Sequence, residues 1–293
     1  MKNKIITFIG GGNMATSLIS GLLDNGFKGE NIRVADVDPH ALACQFPVRV
    51  YQNNVPAIVG ADVVVLAVKP QILAQVSRQL KSELANWPTK KPWPLFISIA
   101  AGVRLADLVN WLGFDDLPVI RVMPNTASLV RCGASGLFAS KNVSDVQCEI
   151  AENILRSVGL AVWLEEEPLL DAVTALSGSG PAYFFKVMEI MAQVGQDLGL
   201  SAEVARLLTL QTAFGAAKMA LESPEDVGIL RQRVTSKGGT TEQALAVFEQ
   251  HDLTGIFSQA LHAAHQRSMQ LAQELAQCYN QSEPHKMLDK NSP

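Results

Sequence analysis

Residues 5–26 read IITFIGGGNMATSLISGLLDNG, and the spacing of apolar residues changes at the glycines. Residues 5–9 form a short apolar run rich in β-branched side chains, the pattern of a buried strand. Beyond the glycines, Met14, Leu18 and Leu22 recur at helical spacing and Gly26 supplies a stop. Between strand and helix, Gly10, Gly12 and Ala15 fit G-x-G-x-x-A. In that pattern the first glycine permits a tight turn and the second lets the backbone approach a pyrophosphate. The alanine allows close packing of helix on strand. The N–H groups opening the helix would then face the anion. A glycine turn kept for packing alone would use the same residues, so the neighbouring segments carry the distinction.

Those segments alternate in type. NIRVAD (31–36), ADVVVLAVKP (61–70), PLFISIAAGV (94–103) and LPVIRVMPNTAS (117–128) read as strands. QILAQVSRQLKSEL (71–84) and DLVNWL (107–112) read as helices between them. Such alternation predicts right-handed βαβ units: a doubly wound, Rossmann-type α/β domain with a parallel sheet and helices on both faces. Ligands of such sheets bind beyond the carboxyl ends of the strands. Asp36 stands where a carboxylate reads the adenosine ribose; it accepts from both hydroxyls of NAD and repels a 2′-phosphate, so NADH is expected to be accepted. The alternative for Asp36 is a turn residue ahead of Asp38-Pro39. Lys69 and Pro70 close the next strand at the same edge, where Val68 presents backbone to a cofactor. The small residues of SIAAGV and MPNTAS leave room there for a flat ring.

After VGLAVWLEEEP (158–168) the chain changes character, and helix formers dominate to about Tyr279. The expected division is a dinucleotide-binding domain over 1–167, a helical domain over 168–279 and a disordered tail over 280–293. The 293 residues carry a formal charge of −4, with 48% hydrophobic and 18% charged residues. That balance is ordinary for a globular protein and argues against nucleic acid or an anionic membrane as the main partner. Cys44, Cys132, Cys148 and Cys278 form no CxxC and the histidines no HExxH. Neither a structural metal nor a disulfide framework is expected. The N-terminal apolar run is too short for a signal peptide or a membrane span, so a cytoplasmic protein with reduced thiols is expected.

The helical half is interrupted twice. SGSGP (177–181) reads as a close helix crossing at Gly178 and Gly180, with Pro181 starting a new helix. RVTSKGGTTEQAL (233–245) gathers Thr235, Ser236, Gly238, Gly239, Thr240 and Thr241 ahead of a helix. The amides of Gly238, Gly239 and Thr240 and the nearby hydroxyls would suit a small carboxylate at a helix N-terminus. Thr240 and Gln243 fit a capping box, S/T-x-x-E/Q. A plain capped helix–helix turn accounts for Gly239 and Thr240 but leaves Thr235, Ser236 and Thr241 without a purpose.

Taken in order, FIGGGNMA, VVVLAVKPQ, SIAAGV, RVMPNTAS, DAVTALSGSGPAYFF and RVTSKGGTTEQAL make the chain resemble the pyrroline-5-carboxylate reductases from about Ile5 to Glu249. The resemblance implies hydride transfer from NADPH or NADH to a small cyclic imine carrying a carboxylate, giving L-proline. It implies an all-α C-terminal dimerisation domain of the 6-phosphogluconate dehydrogenase type. The implied assembly is a homodimer or larger, interlocked through the C-terminal helices, with active sites completed from both subunits. Cofactor contacts implied are Asn54, Val68, Lys69 and Ala101 beside Gly12, Asn13 and Met14; Gly10, Asp36 and Pro70 join them from the strand-end reading above. The implied substrate loop is Ser236, Gly239, Thr240 and Thr241, with the Thr241 hydroxyl at the imine nitrogen. Two departures are visible: Lys237 stands where the family usually has Pro, and Asp36 where a small or neutral residue and NADPH preference are common. Two rivals stay open. A β-hydroxyacid-type dehydrogenase would need a helical catalytic lysine, for which only Lys186 and Lys218 qualify. A non-catalytic dinucleotide-binding protein could dispense with the TSKGGTT cluster.

Overall fold

The computed structural model describes residues 3–280. Its contacts divide the chain into two compact units: one holds the chain up to Gly178 and resumes at Ala264, the other is Ser179–Ala263. The expected boundary near Glu167 came from composition, and contact divides the chain differently.

The first unit is built on one eight-stranded sheet, β1 (Ile6–Ile9), β2 (Ile32–Ala35), β3 (Arg49–Tyr51), β4 (Val63–Leu66), β5 (Leu95–Ser98), β6 (Val119–Met123), β7 (Gly133–Ala139) and β8 (Gly159–Trp163), in the spatial order 3-2-1-4-5-6-7-8. The order reverses between β1 and β4, the switch point of a doubly wound sheet. Burial on both faces explains the unbroken apolar runs. In β4, Val63 and Val65 join one core with Leu18, Ile19 and Leu22 of α1 (Asn13–Asp24). Val64 and Leu66 join the other core, with Leu73, Leu80 and Leu84 of α4 (Pro70–Ala85) and Leu108, Trp111 and Leu112 of α5 (Leu105–Leu112). Successive side chains of a strand point to opposite faces, so a run covered on both sides has no polar alternation.

The expected all-parallel sheet is corrected at β7, which runs antiparallel to β6. Only residues 124–132, with a short 3₁₀ turn at Thr126–Val130, join them. A parallel crossover needs a dozen or more residues, so the chain doubles back. β8 returns parallel to β7 through α6 (Asp145–Arg156). Besides β7 and α6, the short elements β3, α2 (Pro39–Gln45) and α3 (Asn54–Ile58) had no clear signal in the sequence.

The first unit also contains α7 (Leu169–Val173), packed on β6 and β7, and a π-helical turn at Thr174–Gly178. The second unit holds α8 (Gly180–Asp197), α9 (Ala202–Glu222), α10 (Val227–Arg233) and α11 (Thr240–Gln250). The last helix, α12 (Leu253–Asn280), begins in the second unit and, from Ala264, belongs to the first. No strand follows β8 among the described residues. The tail expected over 280–293 lies, apart from Asn280, outside the described residues. No described helix is long and apolar enough to cross a membrane.

Candidate active site

The glycine turn separates packing from binding. Gly10 has φ +96°, its N–H donates to the Ala35 carbonyl at 2.8 Å, and a Cβ on it would sit 2.8 Å from the Ala67 carbonyl oxygen. A Cβ on Gly11 would overlap Leu42. Backbone and φ therefore exclude a side chain at Gly10, whereas one at Gly11 would need the Leu42 side chain to move. Gly12 differs: it is the N-cap of α1, its φ of −70° suits any residue, and nothing lies within 4 Å of where its Cβ would be. The packing-only reading explains Gly10 and Gly11 and leaves Gly12 unexplained. The first N–H to join the α1 ladder from this end is that of Thr16, bonded to the Gly12 carbonyl. The amides of Asn13, Met14 and Ala15 precede it and point out of the helix end. An open helix N-terminus over a residue without a side chain fits the diphosphate of a dinucleotide.

Asp36 follows β2 directly. Its Oδ2 accepts from the Gly11 N–H at 2.7 Å and its Oδ1 from the Asp38 N–H at 2.9 Å. The carboxylate is thus both the turn residue that the alternative reading offered and a buckle on the glycine loop. A carboxylate offers about four lone-pair sites and two are used here, so acceptor capacity remains for a ribose. The parallel strands bring the other candidates of this unit to the same carboxyl edge. Val68 is half-buried, Lys69 is exposed as the N-cap of α4, and Pro70 is its first residue. Ala101 is exposed in the turn after β5, and Asn54 opens α3, its Nδ2 donating to Gln79 at 3.1 Å.

Beneath the turn after β5 lies a buried ionic cluster that the sequence did not reveal. Arg121, on β6, donates to Glu167 Oε1 at 2.5 Å, and the same oxygen accepts from the Leu105 N–H at 2.6 Å. Arg104, the N-cap of α5, donates to Asp171 Oδ2 at 2.5 Å, while Asp171 Oδ1 accepts from the Ser268 hydroxyl of α12 at 2.7 Å. Burial pulls the Arg121 guanidinium below its usual value while Glu167 pushes it back up. Burial, then Glu167, raises the Asp107 carboxyl; Arg104 and Arg121 oppose the rise. Partners 46 to 97 residues apart in sequence meet here, which is why no local pattern announces them. At Gly102, φ +77°, a Cβ would lie 3.3 Å from Leu275 of α12, so the same helix backs this turn.

In the second unit the TSKGG segment forms a tight turn before α11. Gly239 is the N-cap and Thr240 the first helical residue. The capping box expected from Thr240 and Gln243 is therefore corrected: Gly239 has no side chain to cap with, and the Gln243 N–H bonds the Gly239 carbonyl at 3.3 Å. The one-residue offset follows from Gly238, whose φ of +75° puts the left-handed turn just before the cap. A true capping box does occur in this chain, between Ser144 and Gln147 at the start of α6. Two of the three amides expected to be free are engaged. The Gly238 N–H donates to Glu242 Oε2 at 2.7 Å and the Gly239 N–H to the Ser236 carbonyl at 3.0 Å. Thr240, Thr241 and Glu242 precede the first helical bond and carry the open amides. The Thr235 hydroxyl donates to the Arg231 carbonyl at 2.7 Å and so belongs to the turn itself. Ser236 and Thr240 are exposed, Thr241 half-buried.

Of the SGSGP glycines, Gly178 packs against strand β6 rather than a crossing helix: a Cβ there would lie 2.6 Å from the Met123 methyl. Gly180 has nothing within 4 Å, so close crossing at Gly180 is corrected for the single chain. Pro181 sits in the first turn of α8, as expected. Lys186 and Lys218, the lysines a dehydrogenase rival would need, form exposed ion pairs with Glu189 and Glu222 on their own helices.

Fold and glycine turn together define a Rossmann-type dinucleotide-binding domain joined to an all-helical C-terminal domain. The profile of the pyrroline-5-carboxylate reductase dimerisation family matches residues 167–271. That of the coenzyme F420-dependent NADP oxidoreductases matches 5–102. A pyrroline-5-carboxylate reductase from Pseudomonas aeruginosa is 49% identical over 94% of this chain and 100% of its own length. One from Haemophilus influenzae is 42% identical over 92% of this chain and 98% of its own. Among solved structures, a pyrroline-5-carboxylate reductase from Coxiella burnetii matches with a TM-score of 0.85 at 44% identity, over 92% of this chain and 98% of that one. The Plasmodium falciparum pyrroline carboxylate reductase with NADP bound gives 0.81 at 28% identity, over 93% and 99%. The chain belongs to the pyrroline-5-carboxylate reductase family.

Proposed function

We propose that this protein reduces the C=N bond of 1-pyrroline-5-carboxylate to L-proline with a nicotinamide dinucleotide. The observation that carries the reading is the 49% identity to a pyrroline-5-carboxylate reductase over 94% of this chain, a span that takes in both units. A reduced nicotinamide bound at the carboxyl edge of the sheet would supply the hydride. Gly12 and the open amides of Asn13 and Met14 would hold the diphosphate; Val68, Lys69, Pro70, Ala101 and Asn54 would frame the rest.

The second unit's loop acts on the substrate. The open amides of Thr240 and Thr241 at the start of α11 hold its carboxylate, with the Ser236 hydroxyl beside them. A helix N-terminus favours an anion by about 0.3–1 kcal/mol, and each hydrogen bond to a charged group adds roughly 1.5–3 kcal/mol. The Thr241 hydroxyl binds the imine nitrogen. At an alcohol's acidity it relays a proton from water rather than acting as a strong acid, which is consistent with a site lacking a catalytic histidine.

Asp36 bears on cofactor choice. Its two backbone hydrogen bonds hold the carboxylate in place, and a fixed negative charge there accepts from a 2′-hydroxyl and repels a 2′-phosphate. On that ground NADH serves this enzyme alongside NADPH. A homodimer fits the second unit, where large apolar side chains lie bare in the single chain: Phe184, Phe185, Leu207, Leu208, Phe214 and Ile256 are each more than half exposed. Patches of this kind mark interaction surfaces, and a second copy is the partner that the dimerisation profile suggests. A cytoplasmic setting is in keeping with free thiols at Cys44, Cys132 and Cys148.

The test is spectrophotometric: oxidation of NADH and of NADPH with pyrroline-5-carboxylate, against a panel of hydroxy acids. Activity on the imine with both cofactors is expected, and activity confined to hydroxy acids overturns the reading. Thr241→Ala is expected to cut turnover with cofactor binding intact; normal turnover removes Thr241 from the mechanism.

A further inference from the structure

The loop that receives the substrate's carboxylate already holds a carboxylate of its own. Glu242 is the third residue of α11 and reaches back over the turn to accept from the Gly238 N–H at 2.7 Å. A glutamate in the third position often serves the N-cap amide. Here the cap is Gly239, whose N–H is taken by the Ser236 carbonyl, so the Glu242 oxygen serves the residue before it. Glu242 is half-buried and bonds no cation: its one hydrogen-bond partner among the described residues is that amide. Its closest electrostatic support is therefore the turn and the helix end. The same helix end must hold a substrate carboxylate through its open Thr240 and Thr241 amides.

We infer that Glu242 is a specificity-determining residue that competes with the substrate's carboxylate for the start of α11. The inference rests on the substrate-loop reading above. Two like charges at one helix end repel, and both draw on the same partial positive charge. Binding of the anionic imine then requires Glu242 to yield the Gly238 amide or to tolerate a second anion beside it. In return, the bond from Glu242 keeps Gly238 in its left-handed turn while the site is empty. The loop is thereby set for a singly charged small acid and resists one carrying a second carboxylate.

Two variants separate competition from simple ordering. Glu242→Gln keeps an oxygen that can accept from Gly238 and removes the charge; Glu242→Ala removes both. Competition predicts that KM for pyrroline-5-carboxylate falls about three- to tenfold in the glutamine variant, with KM for NADPH unchanged. The dissociation constant for L-proline, measured by calorimetry with oxidised cofactor present, should fall in parallel. The gap from wild type should narrow at high salt, because repulsion between accessible charges is screened. A glutamine variant with wild-type KM and an alanine variant with raised KM would make Glu242 an ordering cap only and overturn the inference. Thr241→Ala, run alongside, tells the two levels apart. If it changes turnover while the Glu242 variants leave substrate binding unmoved, this inference alone fails. If none of the three changes catalysis or binding, the substrate-loop reading fails with it.

Discussion

Replacing Glu167 by alanine should test the buried cluster directly. The substitution strips Arg121 of its partner at 2.5 Å and the Leu105 N–H of its acceptor at 2.6 Å. The Arg121 side chain retains 7% of its exposure and Glu167 22%, so water entering the vacated space would hydrate the guanidinium only in part. Breaking a buried pair from one side costs about 3–5 kcal/mol, and Glu167's partial exposure puts this case near the lower end. At roughly 2–4 °C per kcal/mol for a domain of this size class, Tm should fall by about 6–12 °C. Differential scanning calorimetry at fixed protein concentration measures it, since an oligomer's Tm depends on concentration. Glu167→Gln should lose less, because its oxygen can still accept from Leu105. The double variant Arg121→Met with Glu167→Leu should recover most of the loss, since replacing both charges removes the desolvation problem. A fall under about 2 °C in the alanine variant, or a double variant worse than the single, would refute the view that an unpaired buried charge sets the cost.

Gly12→Val should leave folding nearly untouched and abolish dinucleotide binding, whereas Gly10→Ala should destabilise the fold itself, because only Gly10 has a carbonyl in the way and a positive φ. Circular dichroism melts beside cofactor fluorescence titrations distinguish the two, and equal losses of stability would contradict the assignment. Asp36→Asn should raise the preference for NADPH over NADH, read from the ratio of kcat/KM values, if its charge reads the ribose as proposed; an unchanged ratio would detach Asp36 from cofactor choice. Asp107 carries a pH signature. Its carboxyl is raised above 3.8 chiefly by burial, so the folded state holds the proton longer and stability falls as pH rises from that value through the folded pKa. Asp107→Asn should lose that slope, so that wild type falls behind the variant in urea titrations as pH climbs through the folded pKa; parallel curves would count against it.

How much of this was legible in the chain follows from where the relevant contacts lie. The β1–turn–α1 stretch, the apolar β4 run and the helix formers after Glu167 are local patterns, and the doubly wound domain and helical half were read from them. The TSKGGTT loop was legible as a collection of small donors for the same reason. Its hydrogen bonds were not: Gly238's left-handed turn moved the cap to Gly239, closed two amides and gave one of them to Glu242. The antiparallel β7 was hidden because GASGLFA has two glycines and little strand character; the short connection behind β6 was the available clue.

By itself, then, the order of residues determined the class of most long elements, though not of β7 or α6, together with the anion-ready glycine turn and the family. Hydrophobic periodicity and glycine placement act over a few residues, and a single chain displays them in full. Only the folded chain determined that Arg121 meets Glu167, that Asp171 joins Arg104 to Ser268, and that Asp36 buckles Gly11. These bonds unite residues that no local rule relates. Burial then fixes their strength, because a charge in a low-dielectric interior must find its partner or forfeit stability.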